Sequence, residues 1–173
     1  MAKPRKPVVN PVVRTWIDPD GGRIEDQALL AWVVERSAKV TGFNSESKVV
    51  VGTDSHIAGR SFRFVTVVCV YNVGSGGYFY YTVNYEDRDL YKNNKQHRMF
   101  QEVQKSIEVC DWIAEATLLI PEIHIDASPP DRGEFTSSFS DALVGFAKGS
   151  GYVGVVKDGA FAASCIADKY TRS

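Results

Sequence analysis

Cysteine, net charge and long apolar runs are what this chain has least of. Cys69, Cys110 and Cys165 are odd in number and widely spaced, which fits neither a disulfide framework nor a paired zinc-ligand pattern. They read as reduced, buried side chains. The longest apolar stretch, Val65 to Tyr71, falls far short of the roughly 20 residues that cross a bilayer, so no membrane span is expected. Twenty Lys plus Arg against twenty-one Asp plus Glu give a net charge of -1, which excludes a domain held to nucleic acid by its overall field. Any polyanion partner must be held locally. The basic start, Met1-Ala2-Lys3-Pro4-Arg5-Lys6-Pro7, leads into no apolar segment and does not read as a signal peptide; a cytoplasmic location is expected.

What is present is ordinary for a globular protein. Within 173 residues, 44% are hydrophobic and 24% charged, which is one domain with a real core. Residues 1–14, basic and proline-rich, read as a flexible arm, and 15–173 as a single domain. Asp18 to Gly22 is a turn signal. Ile24, Ala28, Leu29, Trp32 and Val33 then recur at helical spacing until Gly42. Lys48 to Thr53 is a β-branched run, apolar on both faces, and so reads as a buried strand delivering Asp54 at its end. Ser61–Val73 and Tyr78–Tyr85, separated by Gly74-Ser75-Gly76-Gly77, predict an antiparallel hairpin. From about Asp89 to Thr117, Met99, Phe100, Val103, Ile107, Cys110 and Ala114 trace one stripe of a long helix, closed by Pro121. A strand over Glu122–Asp126, a helix over Phe139–Lys148, a strand over Tyr152–Lys157 and a helix over Phe161–Tyr170 complete the order. Three strands joined locally and two joined through helices predict a mixed α/β sheet, antiparallel on one side, parallel on the other, and covered on both faces.

Chemistry concentrates in the carboxylates. Asp54, in Val51-Gly52-Thr53-Asp54-Ser55, ends a buried strand where ligand sites of such sheets gather, and Gly52 leaves room for a close approach. Asp126, in His124-Ile125-Asp126, ends the next non-hairpin strand. Were the two strands parallel neighbours, about 4.8 Å apart, both acids would emerge at one edge. They would then repel unless a hard cation lay between them. Glu102 stands on the shoulder of the long helix, either reaching inward or merely bordering the apolar stripe. Asp168 is the only acid of a small, apolar last helix that packs tightly enough to bring it near the same edge.

Gly52-Thr53-Asp54-Ser55, Glu102 in mid-helix, His124-Ile125-Asp126 and the stretch Phe161 to Thr171 resemble, in matching order from about Val49 to Arg172, the YkuK-type family of ribonuclease H-like proteins. The resemblance implies a ribonuclease H-like mixed five-stranded sheet with helices on both faces. It also implies Asp54, Glu102, Asp126 and Asp168 as catalytic metal ligands. Where the family carries Lys-Pro-Asp before the last helix, this chain has Lys157-Asp158-Gly159, so Asp158 stands as an alternative to Asp168 or as a helix cap.

The activity so implied is divalent-metal-dependent cleavage of phosphodiester bonds in RNA, DNA or an RNA–DNA hybrid. Two metals about 3.5–4 Å apart would activate water and stabilise the leaving oxygen. All-oxygen ligands favour Mg²⁺ or Mn²⁺. His56 could shuttle a proton or simply be exposed; His124 reads as a packed residue behind Asp126, and His97 as a helix-surface residue. Tyr78-Phe79-Tyr80-Tyr81 and Tyr85 could stack bases or pack across strands. Arg60, Arg63, Arg88, Lys92, Lys95 and Arg98 could follow a phosphate backbone or solvate the helix. Two rivals are a noncatalytic nucleic-acid or protein-binding module and a hydrolase of a smaller phosphorylated substrate.

Overall fold

The β-branched run around Val50 forms the central strand of a mixed sheet, and every element is arranged about it. The structure, a computed structural model, describes residues 13–38, 47–72, 76–91, 94–128, 137–157 and 159–171. In chain order the elements are β1 (Thr15–Ile17), β2 (Arg23–Glu25), α1 (Asp26–Ala38), β3 (Ser47–Ala58), β4 (Ser61–Asn72), β5 (Gly76–Asp87), α2 (Lys95–Thr117), β6 (Glu122–His124), α3 (Ser137–Gly149) and β7 (Gly154–Val155). A π-helical segment, Ala162–Ala167, then runs into α4, Asp168–Thr171. The strands form one seven-stranded sheet in the order β2-β1-β5-β4-β3-β6-β7.

The hairpin reading holds and extends: β3, β4 and β5 pair antiparallel along their full lengths, from Ser47↔Asn72 to Ala58↔Ser61 and from Ser61↔Asp87 to Asn72↔Gly76. β6 lies parallel to β3, with Gly52 opposite His124, and β7 lies parallel to β6. The mixed sheet is thus as expected, but it carries two strands more than five. β1 and β2 add a three-residue hairpin beyond β5, closed by an Asx turn in which Asp18 Oδ1 accepts the backbone N–H groups of Asp20 and Gly22. Ile24 therefore sits in a strand, and the helix begins at Asp26. What fixes the extra hairpin is Trp16, fully buried, stacked on Trp112 at 6.1 Å and donating its indole N–H to Asp26 at 2.8 Å. Three-residue strands are too short to show a period of two, so the pattern is silent there.

The two sheet faces are covered unequally. On one, α1, α2 and α3 bury the larger core, which includes Val49, Val51, Val68 and Val70 from the strands. On the other, among the described residues, the π-helical segment and α4 lie over Val50, Val65, Val67 and Cys69. α2 turns a slightly different face inward from the expected stripe: Phe100 and Ala114 are half-buried, while Glu102, Ser106, Val109 and Ile113 join Met99, Val103, Ile107 and Cys110 as buried residues. The small shift converts Glu102 from a border residue to an interior one. A chain of hydroxyls continues beside it: Ser106 Oγ donates to the Glu102 carbonyl and meets Thr53 Oγ1 at 2.9 Å, which meets Thr66 Oγ1 at 3.0 Å. Residues 1–12, Lys92 and Asp158, about which the sequence raised the arm, a phosphate contact and a fourth ligand, lie outside the described residues.

Candidate metal centre

β3 alternates its side chains between the two faces, so Thr53 and Ser55 look toward α2 while Gly52, Asp54 and His56 look toward the terminal helix. The strand does not stop at Asp54 as expected. It continues to Ala58 because β4 pairs with it to the end, whereas the β6 ladder stops at Gly52↔His124. Asp54 is therefore held rigidly by one neighbour and open on the side of the other. The room at Gly52 is used by the terminal helix: a Cβ there would lie 2.6 Å from the Ala163 backbone nitrogen. His124, buried on β6, anchors the same helix by accepting the Ala162 N–H at 3.3 Å and meeting the Phe161 ring edge-on. Burial lowers its pKa to about 4, so the imidazole is neutral.

Ala162-Ala163-Ser164-Cys165-Ile166-Ala167 reads as α-helix but winds as π-helix, and the Asp168 N–H reaches back to Ala163. The wide turn brings Asp168 and Thr171 under Asp54; Thr171 Oγ1 lies 3.3 Å from Asp54 Oδ2 and 2.8 Å from the Asp168 carbonyl.

Asp54, Glu102, Asp126 and Asp168, drawn from four separate elements, line one cleft of about 200 Å³. Asp126 follows β6, and its Oδ1 is buried without a hydrogen bond; Lys157 Nζ lies 3.6 Å away. Glu102 is 6% exposed and points inward, accepting the Ser55 hydroxyl at 2.6 Å. Arg98, one turn earlier on α2, donates to the Ser55 carbonyl at 2.6 Å and to Ser55 Oγ at 2.8 Å, and stands 3.8 Å from Glu102. Lys95 also faces the cleft. Four carboxylates thus meet three cations, and the edge is less negative than the acids alone imply. Arg98 figured in the sequence only as one of a basic cluster. Its place four residues before Glu102 was the available signal. Ser55, Lys157 and Thr171 carried no signal beyond lying one, two or three residues from a candidate or a turn.

The electrostatics are those of crowded acids. Burial first, then the Asp126 carboxylate, raise the Asp54 carboxyl from 3.8 to about 6; the Ser55 backbone N–H and Arg98 oppose this, and Asp168 adds to it. Burial and the Asp54 charge push Glu102 from 4.5 to about 8, against the lowering effects of the Ser55 hydroxyl and Arg98. Hard-cation chemistry suits this donor set, and the buried Asp126 oxygen, which accepts no hydrogen bond, is the kind of atom a cation satisfies. Among the described residues, however, no three His, Cys, Asp or Glu side chains are arranged to hold one ion together. Glu102 is turned to Ser55 and Arg98 instead.

Arg98→Met tests that engagement. The variant is expected to lose about 1.5–3 kcal/mol in urea denaturation at pH 9, where Glu102 is ionised, and less at pH 6, where it is protonated. A loss equal at both pH values would show that Arg98 serves the Ser55 carbonyl alone.

No curated protein and no solved structure matches the chain. A family model described as ribonuclease H-like matches residues 33–172, which takes in every strand from β3 to β7 and all four acids. Together with the mixed sheet and its terminal helix, that match over most of the sequence places the chain in the ribonuclease H-like family.

Proposed function

We propose that this protein is a divalent-metal-dependent nuclease that hydrolyses phosphodiester bonds of RNA, DNA or an RNA–DNA hybrid. The observation that carries the reading is the convergence of Asp54, Glu102, Asp126 and Asp168 on one cleft, with a buried Asp126 oxygen that accepts no hydrogen bond. Family membership supports it at the level of fold. Asp54 and Asp126 would hold Mg²⁺ or Mn²⁺, with Glu102 and Asp168 completing a two-metal site. When bound, such ions supply Lewis-acid polarisation of the phosphate and acidify a water nucleophile. The chain's own groups do the rest. Lys95 and Lys157 draw phosphate to the cleft mouth. Arg98 holds Glu102 in place through Ser55. His56, exposed and on the same face of β3 as Asp54, is set to give a proton to the leaving oxygen.

The rival is a noncatalytic binding module, favoured by the lack, among the described residues, of three donors set around one point. Calorimetric titration with Mn²⁺ followed by incubation with labelled single-stranded, duplex and hybrid substrates separates the two. Binding with metal-dependent cutting of any of them supports the nuclease. No binding at millimolar Mn²⁺ overturns it, and binding without cutting favours the module.

A further inference from the structure

The pleat of the sheet divides the aromatic residues of β5 in a way the sequence leaves open. Tyr80 lies edge-on to Trp32 and Tyr78 lies under Arg36, both on the α1 side. Phe79 and Tyr81 take the opposite face, where both meet Tyr170, Tyr81 stacked at 4.1 Å. Tyr85 is on that second face too. It is 59% exposed, and among the described residues no ring packs on it.

That face is also the face of Asp54. Register places His56 of β3 opposite Arg63 of β4, and Arg63 opposite Tyr85 of β5. The three form one row across the sheet, a step beyond the Asp54 row. Two strand spacings and a two-residue step separate Asp54 from Tyr85, about 12 Å. An imidazole, a guanidinium and an exposed phenol ring thus lead outward from the carboxylates across the paired strands β3, β4 and β5.

We propose that the His56–Arg63–Tyr85 row is a binding track for single-stranded nucleic acid, a subsite that rests on the nuclease reading. Arg63 sits where a backbone phosphate leaves the cleft, and Tyr85 offers its ring to an unpaired base. Stacking selects against a duplex, because a side-chain ring can stack only on a base whose face is not already covered by its neighbours. The stacking is indifferent to base identity and to sugar, since every base presents a π-face. Between Asp54 and Tyr85 the strand is held at two points, by its reacting phosphate and by a stacked base.

Tyr78 provides a matched control: it lies on the same strand, is 54% exposed, and faces the other side. Fluorescence anisotropy with fluorescein-labelled twelve-nucleotide DNA and RNA strands, and with a blunt duplex, is measured in EDTA, where cutting plays no part. Tyr85→Ala is expected to weaken both single strands about tenfold, Tyr85→Phe to retain wild-type binding, and Tyr78→Ala to leave it unchanged. Equal loss in the two alanine variants, no loss in either, a wild-type preference for the duplex, or no wild-type binding overturns the track. Cutting in Mn²⁺ is scored separately. A wild type that cuts while Tyr85→Ala binds normally loses the track and keeps the nuclease. Tyr85-dependent binding without any cutting keeps the track and loses the nuclease.

Discussion

Asp54→Asn is expected to abolish Mn²⁺ binding and, in the same protein, to raise the melting temperature of the metal-free form at neutral pH. The two effects have one cause. In the folded chain the Asp54 carboxyl is half-buried beside Asp126 and Asp168, and its pKa stands near 6 against 3.8 when exposed. Between those values the folded state holds a proton that the unfolded state has released, so stability falls as pH rises through about 4 to 6 and stays low above. Glu102 extends the fall toward pH 8 by the same sign. An asparagine carries no charge to desolvate and keeps an oxygen for the Thr171 hydroxyl. At pH 7 the gain is at most about 3 kcal/mol, or roughly 5–10 °C. Below pH 4 it vanishes. Metal affinity moves the other way: loss of a ligand should weaken Mn²⁺ by more than the ~10–100-fold seen when only a supporting group is lost. Wild-type binding should tighten from pH 6 to 8 as protons leave the acids. Calorimetric titration and thermal melts at pH 4 and pH 7.5 check both halves. A variant that melts lower than wild type at pH 7.5 would mean that Asp54 is held by its partners rather than crowded by them.

Gly52→Ala should do nearly as much damage without touching a donor. The new methyl would meet the Ala163 backbone nitrogen at 2.6 Å and the Ala162 carbonyl carbon at 3.0 Å. Both are backbone atoms, which cannot swing aside, so the π-helical segment must lift from β3. Overpacking of this kind costs about 2–4 kcal/mol. Because Asp168 and Thr171 ride on the same segment, Mn²⁺ affinity should fall with stability. Gly145 of α3, exposed and with nothing within 4 Å of where a methyl would sit, is the contrasting site: Gly145→Ala should stabilise by about 0.5–1 kcal/mol. Urea denaturation of the two variants reads the difference, and Gly52→Ala at wild-type stability would show that the helix is free to shift.

What was legible beforehand tracks what the sequence pattern encodes. The β4–β5 hairpin was plain because two long β-rich runs around a Gly-rich turn leave a clear signature. A parallel side to the sheet followed from topology rules, while the pairing of β3 with β6 stood only as a condition for the acids to meet. Less was readable where structure is decided by contacts: β1 and β2 exist because Trp16 needs a buried place, and β3 runs past Asp54 because β4 accompanies it. The inward turn of Glu102 depends on a small shift of the helix face that a stripe of apolar residues does not resolve. The π-helical winding depends on an approach to Gly52 that no local propensity records. The carboxylates were nameable one by one; the cations interleaved with them, Arg98 and Lys157, were not assigned to the cleft, since nothing local says that they face it.

The separation of the four acids along the chain has a consequence for how the protein folds. Asp54 and Asp126 are brought side by side only by the parallel pairing of β3 with β6, which must wait for the β4–β5 meander and the whole of α2 to be laid down between them. Such long-range closures are slow, because chain entropy is lost before the contacts that reward it form. The local β3–β4 hairpin has no such delay. A partly folded chain would therefore hold much of its sheet and none of its carboxylate cleft. Divalent metal should leave the early folding rate unchanged and slow unfolding instead, acting as a clamp on the finished molecule.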